Sequence, residues 1–156
     1  MEITAKYCFD TSAFIEPWNT FYPMEQFPLL WSNIESLMLE QVIVSPLEVY
    51  FEINKKDDSL FEWIKNKKSL FLDLNSEIEI SVKLIMSRFP KLVDERKNKS
   101  VADPFVIALA HVTGTKVVTF EKGGTDSRPK IPNVCRDLAV DCIGFIDFIR
   151  NEQWVF

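Results

Sequence analysis

The chain has 156 residues, enough for one ordinary domain with a sizeable core, and its 47% hydrophobic and 26% charged content is that of a globular protein. A single histidine, His111, excludes zinc sites built on two or three His and leaves Ser-His-Asp or Cys-His catalysis only one route, and the four glycines form neither GxGxxG nor a P-loop. What remains in quantity is carboxylate: 23 Asp and Glu against 18 Lys and Arg, a net charge of −5.

Apolar runs are too short for a transmembrane helix, and Met1–Lys6 lacks the basic and apolar regions of an export signal. Cys8, Cys135 and Cys142 are odd in number and form no CxxC pair, so a reducing, cytoplasmic setting without disulfides is expected.

Lys6–Phe9 reads as a short strand ending at Asp10-Thr11-Ser12, a helix-start signature. Phe27–Glu40 carries Leu30, Trp31, Ile34, Leu37 and Met38 at helical spacing. Val42-Ile43-Val44 is a β-branched strand, and Ser45-Pro46 opens a helix through about Asn54, with Ser45 and Glu48 spaced as a capping box. Asp57-Asp58-Ser59 caps a helix from Leu60 to Lys67, and Leu70–Leu72 is a short extended piece. Ser76–Phe89 is an amphipathic helix with Ile80, Leu84 and Ile85 on one side, stopped by Pro90. Lys91–Ser100 is a charged loop. Asp103-Pro104 begins an apolar helix that ends at Thr113-Gly114 and carries His111 as a core or helix-face residue. A strand at Lys116–Thr119, a loop from Glu121 to Pro132, a short helix over Val134–Leu138, a strand at Asp141–Ile143 and a helix over Phe145–Arg150 complete the chain. Strands alternating with helices predict a three-layer α/β/α domain spanning residues 1–156, with a small central parallel sheet.

In such sheets ligands sit beyond the carboxyl ends of the strands. Asp10 follows the first strand, Glu48 and Glu52 lie in the helix after the second, Asp103 opens the helix before the third, and Glu121 follows that strand after one residue. Four chain-distant carboxylates can thus meet at one sheet edge. An all-oxygen donor set suits Mg²⁺ or Mn²⁺. Each acid also has a structural reading: Asp10 and Asp103 as helix caps, Glu48 as half of the capping box, Glu121 as a solvated loop residue. Glu52, between Phe51 and Ile53, is the hardest to explain that way.

Four stretches resemble the motifs of PIN-domain nucleases, which include VapC-type toxins. They are Tyr7-Cys8-Phe9-Asp10-Thr11-Ser12, the helix from Val44-Ser45-Pro46 to Phe51-Glu52-Ile53, Ala102–Ala110 opening with Asp103, and Val117-Val118-Thr119-Phe120-Glu121. Their order covers nearly the whole chain, and Phe14-Ile15-Glu16-Pro17-Trp18 looks closest to an uncharacterised PIN-like branch. The resemblance implies a metal-dependent endoribonuclease in which Asp10, Glu52, Asp103 and Glu121 bind Mg²⁺ or Mn²⁺ and serve catalysis, with Thr11 or Ser12 orienting a water or ligand. Its fourth acid is usually Asp or Asn, so Asp126 is an alternative to Glu121. In the second motif Glu52 is preferred to Glu48 because it precedes the aliphatic residue. An antitoxin partner and a homodimer are further implications. Residues 91–136 carry nine Lys and Arg against five Asp and Glu, with Lys91, Arg96, Lys97 and Lys99 before Asp103 and Lys122, Arg128 and Lys130 after Glu121, where an RNA backbone would lie. Two rivals are a flavodoxin-like phosphoryl-transfer domain, which would need a second acid beside Asp10, and an inactive PIN-like RNA-binding or scaffold module.

Overall fold

A computed structural model describes residues 5–93 and 101–156. Its centre is a sheet of four parallel strands, β1 (Tyr7–Phe9), β2 (Ile43–Val44), β3 (Lys116–Val118) and β4 (Cys142–Ile143), in the order β2-β1-β3-β4. Cys8 pairs with Val44 on one side and Val117 on the other, and Val118 pairs with Phe9 and Ile143. This register puts Asp10, Ser45, Thr119 and Gly144 just past the strand ends, on the same edge. The connection from β1 leads to one side of the sheet while β3 joins on the other, which is the geometry that opens a ligand crevice.

Around the sheet run α1 (Thr11–Glu16), α2 (Pro28–Leu39), α3 (Leu47–Lys56), α4 (Asp58–Ile64), α5 (Ser76–Arg88), α6 (Asp103–Thr113), α7 (Ile131–Asp137) and α8 (Phe145–Asn151). Side chains alternate across β1, as the pleat requires. Cys8 faces α6, its thiol 3.5 Å from the Val106 carbonyl. Tyr7 and Phe9 face the other way, against Phe148 of α8 at ring separations of 4.8 and 5.1 Å, and Phe9 also meets Phe14 of α1. The sheet is therefore covered on both faces, the expected three-layer α/β/α arrangement, and its apolar strands and helix stripes form one buried cluster. No helix among the described residues is long and apolar enough to cross a membrane.

Several local readings need correction. The expected capping box does not form. Helix α3 starts at Leu47, no side chain caps it, and the Ser45 hydroxyl instead donates to the Phe9 carbonyl at 2.8 Å, tying β2 to β1. Asp103 is not a cap either: it is the first residue of α6, after Ala102. On α5 the inward stripe is Ile78, Ser81 and Ile85; Ile80 and Leu84 are exposed. The polar member of that stripe meets His111 of α6, whose Nδ1 lies 3.2 Å from the Ser81 hydroxyl; His111 is exposed, which agrees with the helix-face member of its two expected placements. The helix after Asp57 is shorter than predicted. It becomes a 3₁₀ segment at Lys65–Leu70, and only Leu72 of the expected extended piece pairs, with Pro46. Helix α7 begins at Ile131, three residues early. The charged loop and its cations Arg96, Lys97 and Lys99 lie, from residue 94 on, outside the described residues.

A π-helical turn, Pro17–Phe21, extends α1 and was not anticipated. Pro17 has no N–H to continue the α-helical ladder, and the chain widens until the Tyr22 N–H reaches the Pro17 carbonyl at 2.7 Å. The turn is pinned to α4: the Trp18 indole donates to Ser59 and the Asn19 amide to Asp57, whose other oxygen accepts from the Leu60 N–H as the α4 N-cap. Asp57→Ala should therefore cost about 1–2 kcal/mol in chemical denaturation. A loss below the few tenths typical of exposed sites would show that neither bond contributes.

Candidate active site at the carboxyl edge

Asp10 extends β1 beyond its last paired residue, and its N–H still reaches the Val118 carbonyl at 3.2 Å. Its side chain is almost fully buried. One oxygen accepts from the Ala13 N–H at 2.8 Å, making Asp10 the N-cap of α1 as one of its two readings held. The same carboxylate accepts from the hydroxyls of Ser12 and Thr119. Burial nevertheless raises its pKa from 3.8 to about 7; the three hydrogen bonds work against this, and the charge of Glu121 works with it.

Thr119 links two of the acids. Its hydroxyl donates to Asp10 and accepts from the Glu121 N–H at 3.0 Å. Ser12 joins the same knot, its hydroxyl accepting from the Phe120 N–H at 2.9 Å. Glu121 in turn accepts from the Ile131 N–H at 3.2 Å, so one acid fixes both ends of the loop between β3 and α7. Asn133 holds that loop from inside, through the Gly124 N–H and carbonyl.

Glu52 lies in the second turn of α3. It accepts from the Ala102 N–H at 3.1 Å, immediately before Asp103, and pairs with Lys56 one turn on at 3.4 Å. The second-motif Glu thus reaches across to the start of α6. Glu48 sits in the first turn of α3, where burial and then Asp73 raise its pKa against the opposing effect of a backbone N–H.

The sequence-predicted acids Asp10, Glu52, Asp103 and Glu121 all line one cavity of about 190 Å³, together with Thr11, Ser12, Ile15, Glu16 and Lys56. Glu48 and Asp126 are not among its lining residues. Lys56 and Glu16 were missed by the sequence reading. Lys56 was visible as the i+4 partner of Glu52, and Glu16 stands at the end of the helix that Asp10 begins. Thr119 was part of a quoted motif, but nothing in the sequence disclosed that it joins Asp10 to Glu121.

Five carboxylates against one ammonium make this a cavity of excess negative charge. Its donor chemistry fits a hard divalent cation. The buried Thr11 hydroxyl has no hydrogen-bond partner among the described residues and adds an oxygen donor to the same wall. Yet no group of three His, Cys, Asp or Glu among the described residues is arranged to hold a metal ion. Asp10, Glu52 and Glu121 each accept instead from their own N–H or hydroxyl donors.

The fold and edge define an α/β domain with chain-distant carboxylates gathered at the crevice between β1 and β3. The chain belongs to the family described as a domain of unknown function, DUF4411, whose model matches residues 7–156. No curated protein matches it.

Proposed function

We propose that the chain is a metal-dependent endoribonuclease resembling the PIN-domain, VapC-like nucleases, with RNA as substrate and the reducing cytoplasm as its setting. The observation that supports this most is the convergence of Asp10, Glu52, Asp103 and Glu121, from four distant segments, on one cavity at the carboxyl edge. The three free thiols suit a reducing compartment.

In this reading Asp10, Glu52, Asp103 and Glu121 hold Mg²⁺ or Mn²⁺. When bound, the ion supplies Lewis-acid activation of water and neutralises charge on the phosphodiester. The chain's own residues do the positioning. Ser12 and Thr119 fix the Asp10 carboxylate from two sides, Ala102 N–H fixes Glu52, and Thr11 offers a hydroxyl to the ligand. The toxin role, with an antitoxin that buries this edge and a homodimeric assembly, is part of the same reading; the acidic balance outside residues 91–136 suits a basic partner segment.

The test is incubation of single-stranded RNA with the protein in Mn²⁺, Mg²⁺ or chelator. Cleavage should need the metal and fall by more than 100-fold in Asp103→Asn, since even residues behind the ligands cost 10–100-fold in metal affinity. Cleavage undiminished by chelator and by Asp103→Asn would overturn the reading. One alternative, an inactive PIN-like RNA-binding or scaffold module, is favoured by the engagement of Asp10, Glu52 and Glu121 with donors of the chain itself. That alternative predicts RNA binding that neither metal nor chelator changes.

A further inference from the structure

Beside the acid cavity lies a second, larger one of about 710 Å³, which runs along β4 from Val140 and Asp141 before the strand to Gly144 after it and takes in Thr119 past the end of β3. The two share Glu121 in their walls, and Thr119 reaches from the second to Asp10 of the first. Their sizes differ in a way that matters. At about 190 Å³ the acid cavity is below the range of roughly 300–1,000 Å³ usual for organic ligands, whereas the second cavity falls within it. The first has room for ions and a phosphate, the second for a whole nucleoside with its phosphate.

The walls are chemically divided. Lys122 and Arg136 contribute exposed cations, and neither has an ion-pair partner among the described residues. Val140 and Ile143 contribute half-buried apolar surface that packs on the core. Asp141, also exposed, contributes an acceptor. Bare phosphate would use only the two cations. A nucleoside monophosphate uses all three kinds of surface: its phosphate meets Lys122 and Arg136, its base covers Val140 and Ile143, and a sugar hydroxyl or base amine donates to Asp141.

We propose that this cavity is a mononucleotide-binding subsite that seats one nucleotide of a strand whose neighbouring phosphodiester lies at the acids. The choice of a nucleotide over another phosphorylated ligand rests on the nuclease reading. The cavity itself does not, because Lys122, Arg136, Val140, Asp141 and Ile143 line it and not the acid cavity, the two sharing Glu121.

Cys142 also lines this cavity and supplies a readout that needs no catalysis. Cys8 and Cys135 are buried, while Cys142 is partly exposed, and its hydrogen bond with Cys135 lowers its pKa. Alkylation of the native protein should therefore mark Cys142 first. The experiment follows Cys142 alkylation by mass spectrometry in chelator, with the four ribonucleoside 5′-monophosphates, adenosine and inorganic phosphate as separate additions. Monophosphates should protect the thiol saturably. Adenosine and phosphate should do so at least tenfold more weakly, and Lys122→Ala and Arg136→Ala should each raise the protecting concentration about tenfold. Asp103→Asn should leave protection intact. Equal protection by inorganic phosphate would reduce the site to an anion patch and overturn the proposal. So would absence of protection by any monophosphate, or protection unchanged in the Lys122→Ala, Arg136→Ala double variant whose circular dichroism matches the parent. Protection that persists in a protein unable to cleave RNA would support the subsite while removing the nuclease reading.

Discussion

Asp10→Asn should yield a protein that is more stable at pH 8 in chelator and has lost metal-dependent activity. The carboxylate is buried among neutral donors and near Glu121, and its pKa is raised from 3.8 to about 7. Folding therefore favours the protonated form. The stability this group contributes is fully present below about pH 4 and is lost as pH rises through about 7, because over that window the native state binds more protons than the unfolded chain. The full shift corresponds to at most about 4 kcal/mol against the ionised form. Asn keeps an acceptor for the Ala13 N–H and so keeps the cap. Its amide can donate to Thr119, whose hydroxyl already accepts from Glu121 N–H. A gain on the order of 2 kcal/mol at pH 8 is expected, shrinking to nothing near pH 4. Added Mn²⁺ should reverse the ranking: at 100 times its Kd it stabilises the parent by about 2.7 kcal/mol and should do little for the variant. Melting curves at pH 4, 6 and 8 with chelator or Mn²⁺ check each part. A variant less stable than the parent at pH 8 would make Asp10 a structural cap first.

This double use of Asp10 explains why the site could be read from the sequence only in outline. Strand-then-acid order is a local signal, written in Tyr7–Asp10 and Lys116–Glu121, and parallel pairing puts strand ends on one edge whatever surrounds them. What the four acids do on arrival depends on long-range partners. Ser45 has the spacing of a helix cap, but the close approach of β2 to β1 gives its hydroxyl a buried carbonyl, and that bond wins over an exposed cap. Glu52 reaches Ala102, a partner 50 residues away. On α5, Ile80 and Leu84 have the right spacing for a core stripe, yet the stripe that faces α6 runs through Ser81 because His111 is there to meet it. Hydrophobic periodicity fixes that a helix is amphipathic; it does not decide between two adjacent stripes when one polar residue has found a partner. The π-helical turn was hidden for a similar reason. Pro17 signals only that the ladder breaks, whereas the widened turn is held by Ser59 and Asp57 of α4.

Glu52→Gln should weaken metal binding by well over tenfold while changing the melting temperature little, and Glu48→Gln should leave metal binding intact. Both acids lie on α3, four residues apart, and the sequence preferred Glu52 only through its resemblance to the second motif. Their surroundings separate them directly. Glu52 lines the acid cavity and accepts from the Ala102 N–H beside Asp103. Gln retains a carbonyl for that N–H and loses only the charge. The forfeited ion pair with Lys56, an i,i+4 pair with a half-exposed lysine, is worth about 0.3–0.5 kcal/mol. Glu52→Ala is different in kind. It leaves the N–H of buried Ala102 without its acceptor, at a cost of about 1–3 kcal/mol, and releases the start of α6 that carries Asp103. Glu48 stands outside the cavity, and burial and Asp73 already oppose its charge, so a neutral Gln removes a burden and no ligand. Calorimetric Mn²⁺ titration of the three variants, each with a melting curve, separates ligand from tether. A larger loss of affinity in Glu48→Gln than in Glu52→Gln would transfer the ligand role to Glu48. A melting temperature in Glu52→Gln as low as in Glu52→Ala would mean that the charge of Glu52, and not its hydrogen bond, holds α6 to α3.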